Sequence, residues 1–401
     1  MNALTAIGVI LLLALLAGHA AKLVRVPEVT GYILAGILVG PSALGLITHE
    51  NLQGLSVFSE IALGMILFSI GAVFDLSGIG RLGRGVLRLT IIESTLASVI
   101  VAAGAKIAGQ PWPVALLLGA ISIETAAAST LMVIREYNAS GPLTDTLIGV
   151  IAIDNIICLV SFSLIAAGLD LHTSALTGRG ALAAWGTTLF TLAWQLVGSV
   201  ALGYLVGLLL AQWASRAVEH GETLILLSGC ILLTVGVASA IDLFPLVASL
   251  AVGATMVNLT DRSRSLFAAV GRTDPPLYAI FFVIAGADLR LGLLKSLGLV
   301  GVIYVVGRAV GKLTGVRLAA GRIDAPPHVR ELLGYSMLSQ AGLAIGLVLT
   351  TRERFPALAP TITAVVLGAI TIFELVGPLA ARAALMRAKE TYPDEAEGVA
   401  G

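Results

Sequence analysis

Ser122-Ile-Glu-Thr-Ala-Ala-Ala-Ser-Thr130 is a run of small and hydroxylated residues set around a carboxylate, in the middle of the apolar stretch 113–134. A second run, Ser339-Gln-Ala-Gly342, flanked by Gly334 and Gly346, interrupts the stretch 328–350. Each stretch has the roughly 20 residues that a helix needs to cross a bilayer. Backbone can leave helical geometry at that depth only where protein or water satisfies the freed groups. Two interrupted spans in corresponding halves of a chain are a pointer to a transporter site built from inverted repeats.

The rest of the chain agrees with a membrane setting. Of 401 residues, 57% are hydrophobic and 12% are charged, against roughly a quarter charged in soluble domains. Thirteen apolar spans are expected, at about 3–21, 28–46, 55–75, 86–108, 113–134, 143–168, 186–213, 222–240, 243–259, 275–289, 294–316, 328–350 and 358–385. Loops on one side hold sixteen Lys and Arg; the other side holds six, Lys106, Arg179, Arg290, Lys295, Arg352 and Arg354. By the positive-inside rule this puts the N-terminus outside and the C-terminus in the cytoplasm, in the cell (inner) membrane. The first run has no basic leader segment, so it reads as a retained span. Cys158 and Cys230 lie in separate apolar stretches and suggest neither a disulfide nor a metal site. A net charge of zero with dispersed basic residues gives no nucleic-acid footprint.

Ionisable residues at bilayer depth are costly, so each is a functional candidate with a partner to be named. Asp154 and Asn155 fall near the middle of the sixth span, and Arg308 and Lys312 on the eleventh. Glu60, Glu93, Glu124 and Glu374 fall on the third, fourth, fifth and thirteenth. Arg308 and Lys312 are four apart, so both face one way and could meet one acidic site. A midplane carboxylate can hold either a proton or a desolvated cation, and competition for it couples two fluxes. Asp154 with Lys312 is the pair on which that reading rests first, with a structural ion pair as the plainer alternative. Glu60 and Glu93 fit better as structural partners of Arg308 or of loop amides. Ser129, Thr130, Ser339 and Gln340 serve either as ion-supporting groups or as close-packing small residues. A channel-like or sensory module using the charges for gating would need a filter loop and a continuous polar lining, and neither is evident. One deep aspartate and peripheral histidines form no catalytic pair, so an enzyme is not expected.

Val26-Pro-Glu-Val-Thr-Gly-Tyr-Ile-Leu-Ala-Gly-Ile-Leu-Val-Gly-Pro-Ser-Ala-Leu-Gly45 resembles the opening of the monovalent cation/proton antiporter superfamily, in its branch of bacterial sodium/proton antiporters and Kef-type potassium efflux proteins. The resemblance runs on through Glu60–Gly71, Ala128-Ser-Thr130, Ile153-Asp-Asn-Ile-Ile157, Phe281–Gly286, Gly311-Lys312 and Ser339-Gln-Ala-Gly342. It implies an all-α membrane protein of two inverted repeats with two crossing interrupted helices. Residues 1–388 would form the antiporter domain and 389–401 a short cytoplasmic tail. Spans 1–3 and 8–10 would form a homodimerisation panel, 86–168 and 294–385 a moving core, and 186–213 a linker. It further implies exchange of Na+, or K+ or Li+, for H+ in an elevator motion, serving pH homeostasis without a cofactor. The partners would be the cation, the proton, the bilayer and a second copy of the chain.

The family's sixth-span motif is a pair of adjacent polar residues, and here it is Asp154-Asn155. In one register Asp154 partners Lys312 and Asn155 stands where the ion-binding aspartate is usual. In the Kef-type register Asp154 itself is the ligand. Glu124 is the carboxylate that could compensate, so Na+ is expected at Asp154, Asn155 and Glu124. Ser129, Thr130, Arg308, Ser339, Gln340 and Glu374 would support it. The nucleotide-binding domain that follows the membrane part of Kef-type proteins has no counterpart in this sequence, which favours a simple exchanger.

Overall fold

The computed structural model describes residues 3–74, 76–176, 181–214, 220–260, 266–267, 270–271, 274–289, 291–293, 297–322 and 325–392. Arg179, Arg216, Arg262, Arg264, Arg272, Arg290, Lys295 and the tail beyond residue 392 lie outside them. The helices are α1 (Ala3–Leu23), α2 (Glu28–Val39), α3 (His49–Gly71), α4 (Leu76–Ile107), α5 (Trp112–Ile121), α6 (Ala127–Glu136), α7 (Pro142–Leu176) and α8 (Ala181–Ala214). They continue as α9 (His220–Ala240), α10 (Pro245–Leu259), α11 (Asp274–Asp288), α12 (Gly298–Ala320), α13 (Pro327–Ser336), α14 (Gly342–Arg354) and α15 (Ala359–Ala388).

Each expected span meets a helix, and 113–134 and 328–350 each meet a pair of half-helices separated by a break. Among the described residues, seven helices, α1, α4, α7, α8, α9, α12 and α15, are individually long and apolar enough to cross a membrane. The ends follow local chemistry. Pro27 precedes α2, and Pro245 supplies the first turn of α10, where its missing N–H is not needed. Thr48 closes a capping box with Asn51 at the start of α3. Helix α4 starts well before the expected residue 86, because its first turns carry Arg81 and Arg84 and do not read as apolar.

Glycine seams set the helix pairing. A methyl on Gly36 of α2 would strike the Val283 carbonyl of α11, and one on Gly286 would strike the Ile33 carbonyl. Gly253 of α10 and Gly71 of α3 meet in the same way through Phe68 and Leu250. Thus α2 packs on α11 as α10 packs on α3. That exchange of partners is what two inverted copies of one six-span unit require, with α8 between them. Helix α12 lies along α4 at a third seam, where Gly311 and Gly315 leave no room for a side chain against Ala97 and Glu93.

The far end of the chain closes on the helix that carries Asp154. After α15, Lys389 adopts a left-handed conformation (φ 58°). The carboxylate of Glu390 then accepts the N–H groups of Leu143 at 2.7 Å and Thr144 at 2.8 Å, and the Thr144 hydroxyl at 2.8 Å. These are free donors of the first turn of α7.

Overpacking of a tight seam costs about 1–3 kcal/mol. Gly36→Leu and Gly253→Leu should therefore lower the thermal unfolding temperature in detergent. Gly8→Leu is the control; a Cβ added there meets nothing within 4 Å, and its melting temperature should match the parent.

Candidate functional site

The two breaks cross each other. Between α5 and α6, residues 122–126 leave the helix, and between α13 and α14, residues 337–341 do the same. Their backbones touch where the Ala126 N–H donates to the Ser339 carbonyl at 3.0 Å. Gln340 donates its amide to the Ile121 carbonyl at 3.0 Å and to the Tyr304 hydroxyl at 2.8 Å. Both α5 and α13 end here, so carbonyls and the negative ends of two helix dipoles converge in the interior. Arg308 of α12 answers that charge. Its guanidinium donates to the carbonyls of Ser122 (3.1 Å), Glu124 (2.5 Å), Leu338 (2.7 Å) and Ser339 (3.1 Å), two from each break. It also lies 4.5 Å from the Phe373 ring centre.

One turn along α12, Lys312 meets an acidic pair. Its ammonium is 2.8 Å from Asp154 Oδ2 and 3.3 Å from Glu93 Oε2, and all three side chains are 0% exposed. It also donates to the Ile123 carbonyl and to the Thr125 hydroxyl at 3.0 Å. Asp154 accepts two further hydrogen bonds, from Ser94 at 2.8 Å and from Thr125 at 2.6 Å. Both its oxygens are therefore engaged, as a buried carboxylate requires.

Beside this cluster lies a cavity. Its polar lining is Glu124, Ser129, Asn155 and Glu374. Its apolar wall includes Leu63, Leu67 and Ile70 of α3, Leu246 and Leu250 of α10 and Phe282 of α11. Glu124 accepts the Ala341 N–H, at 3.2 and 3.4 Å from its two oxygens. Glu374 Oε1 accepts the Ser129 hydroxyl at 3.4 Å. Asn155 Oδ1 and Glu374 Oε2 are buried and find no donor among the described residues. The first turns of α6 and α14, with their free N–H groups, border the cavity at Ala127, Ala128, Gly342 and Leu343.

The structure thus separates residues that were expected together. Glu124 and Asn155 share the cavity, but Asp154 is turned to Lys312 and does not line it. Arg308 and Lys312 have different targets: Arg308 serves carbonyls, while Glu93 pairs with Lys312 and not with Arg308. Glu60 is exposed on α3, away from Arg308. Thr130 bonds back to the Ala126 carbonyl at 3.0 Å, within its own helix. Ser339 packs against Gly377 with its hydroxyl unpartnered among the described residues. Ser94 and Thr125, the donors to Asp154, were not singled out from sequence, although each is a hydroxyl next to a buried glutamate in an apolar span.

The family model described as "Sodium/hydrogen exchanger, transmembrane" matches residues 8–386. The chain is similar to the "Ammonium/H(+) antiporter subunit AmhT" of Alkalihalophilus pseudofirmus, 23% identical over 93% of this chain and 89% of that one. It is also similar to the glutathione-regulated potassium-efflux system protein KefC of Cronobacter sakazakii, 27% identical over 76% of this chain and 48% of that one. The sodium proton antiporter MjNhaP1 of Methanocaldococcus jannaschii superposes with a TM-score of 0.72 at 18% identity, over 96% of this chain and 98% of that one. At that identity the likeness speaks for the fold.

Removing one member of a buried ion pair costs about 3–5 kcal/mol, because the other charge is left unpaired. Lys312→Met should destabilise strongly, and Asp154→Asn added to it should recover part of the loss. Additive losses in thermal or denaturant unfolding would contradict the pairing. Arg308→Ala should cost at least as much as Lys312→Met, and Arg308→Lys should not rescue it, since one ammonium cannot serve carbonyls of both breaks.

Proposed function

The chain belongs to the sodium/hydrogen exchanger family, and on that premise we propose that the cavity bounded by Glu124, Ser129, Asn155 and Glu374 is where a monovalent cation and protons compete. The coarse activity, cation/proton antiport by a multi-pass membrane protein, follows from the family. The observation that carries the finer reading is the difference between two sets of buried carboxylates. Asp154 and Glu93 face a lysine, whereas Glu124 and Glu374 face a cavity whose lining contains no cationic side chain. A buried carboxylate with no direct salt bridge in a low-dielectric site can take up either a proton or a cation. Glu124 thus supplies the charge that Asn155 lacks, and Asn155 adds a carbonyl oxygen. The half-helix N-termini temper the site, so the cation is held weakly enough to leave.

An elevator motion fits the division of the walls. All four polar lining residues belong to α5–α7 and α15 or the break between them, while α3, α10 and α11 contribute apolar side chains. An apolar wall offers the charged site no competing ligand as one body slides past the other. Sliding must break the bridge in which Glu136 at the end of α6 accepts the Glu28 N–H of α2 at 2.8 and 3.0 Å, and part Arg135 of α6 from the Tyr278 ring of α11. Na+ is the first cation in this reading, since carboxylate, amide and hydroxyl oxygens are hard donors. K+, Li+ and the ammonium named for AmhT are the competitors. We take the protein to act as a homodimer through its panel helices, with the C-terminus in the cytoplasm.

The test is a proteoliposome assay with a pH dye inside and an imposed ΔpH, to which Na+, Li+, K+ or NH4+ is added. Wild type should answer at least one of them with proton movement. Glu124→Gln should lose the response to background level. An unchanged response in Glu124→Gln would remove Glu124 from the ion site.

A further inference from the structure

We propose that Glu374 is a second exchanging carboxylate of this cavity, so that each monovalent cation bound displaces two protons and the exchange moves net charge. The inference rests on the reading of the cavity given above and extends it to stoichiometry. Three features of Glu374 carry it. Its side chain is buried, it lines the same cavity as Glu124, and its Oε2 finds no donor among the described residues. A buried carboxylate oxygen left in this way needs a guest, either a proton or a cation. In addition, Pro378 lies four residues on in the interior of α15. Proline has no N–H, so the Glu374 carbonyl lacks its usual helical donor. Across the cavity, Asn155 Oδ1 is likewise buried with no donor among the described residues. The two belong to α7 and α15, the equivalent helices of the two repeats, so the guest would sit between the halves of the molecule.

The charge count then follows. Lys312 is committed to Asp154 and Glu93, and Arg308 to backbone carbonyls. With both cavity carboxylates ionised, the site carries two negative charges, which a monovalent cation reduces to one. Two protons reduce them to none. In the exchange, two carboxylic acids and one cation become two carboxylates holding that cation, with release of two protons and no change in oxidation state. The cation-loaded and proton-loaded sites therefore differ by one charge, and a membrane potential acts on the cycle. If Glu374 instead kept its proton throughout, one proton would exchange for one cation and the potential would have no effect.

Purified protein in detergent is titrated with Na+ in weakly buffered medium, and protons released per cation bound are counted. In parallel, Na+-driven proton flux in proteoliposomes is measured with and without a potassium/valinomycin clamp. The expected results are two protons per cation in wild type with flux that responds to the clamp. In Glu374→Gln the ratio should fall to one and the clamp should lose its effect. A wild-type ratio of one, or a ratio of two retained in Glu374→Gln, overturns the inference while leaving the exchange site itself standing. Absence of any cation-driven proton movement in wild type would instead remove the underlying reading. If Glu374→Gln does not fold, the wild-type ratio alone decides, and Glu374→Asp, which keeps the carboxylate, should hold the ratio at two.

Discussion

Backbone that abandons helical geometry inside a membrane must find hydrogen-bond partners there, and two such stretches cross in this molecule. Arg308 makes the crossing possible. A planar guanidinium with five N–H donors can reach carbonyls of both breaks at once. Without it, two helix C-termini would meet unneutralised in the interior. The glycine seam between α12 and α4 brings Arg308 and Lys312 to that place, because any larger residue at Gly311 or Gly315 would hold α12 away. The positions of both cations thus depend on residues with no side chain.

Once the cations are committed, the carboxylates divide into two groups. Those within reach of Lys312 form a closed cluster with every Asp154 oxygen engaged. Those on the other side of the crossing keep free valence. The same crossing that orders the backbone therefore sorts the acids into a holding set and an exchanging set. Burial alone could not do this, since members of both sets are almost wholly buried.

Much of the architecture was legible in the sequence. Hydropathy marks the thirteen spans, and the small, hydroxylated runs at Ser122–Thr130 and Ser339–Gly342 mark both breaks. The contact between Asp154 and Lys312 was legible too, because a deep acid requires a partner and the chain offers few cations. What was hidden depends on distances between elements far apart in sequence. Helical spacing puts Arg308 and Lys312 on one face, but one turn separates a carbonyl cluster from an acidic one, and no spacing rule reports that difference. Glu374 reads from the sequence as one of several supporting residues, and only the placement of α15 beside Ser129 sets it in the same cavity as Glu124. Its one local signal was Pro378, four residues ahead in the same helix.

The Glu390 clasp on α7 has a consequence for how the molecule is made. The donors of Leu143 and Thr144 are capped by a residue 247 and 246 positions later in the chain. Synthesis proceeds from the N-terminus, so the helix bearing Asp154 enters the bilayer with its first turn uncapped and stays so until nearly all the remaining helices have followed. The first half of the molecule is thus inserted long before its cap exists, and the residues that follow α15 supply it.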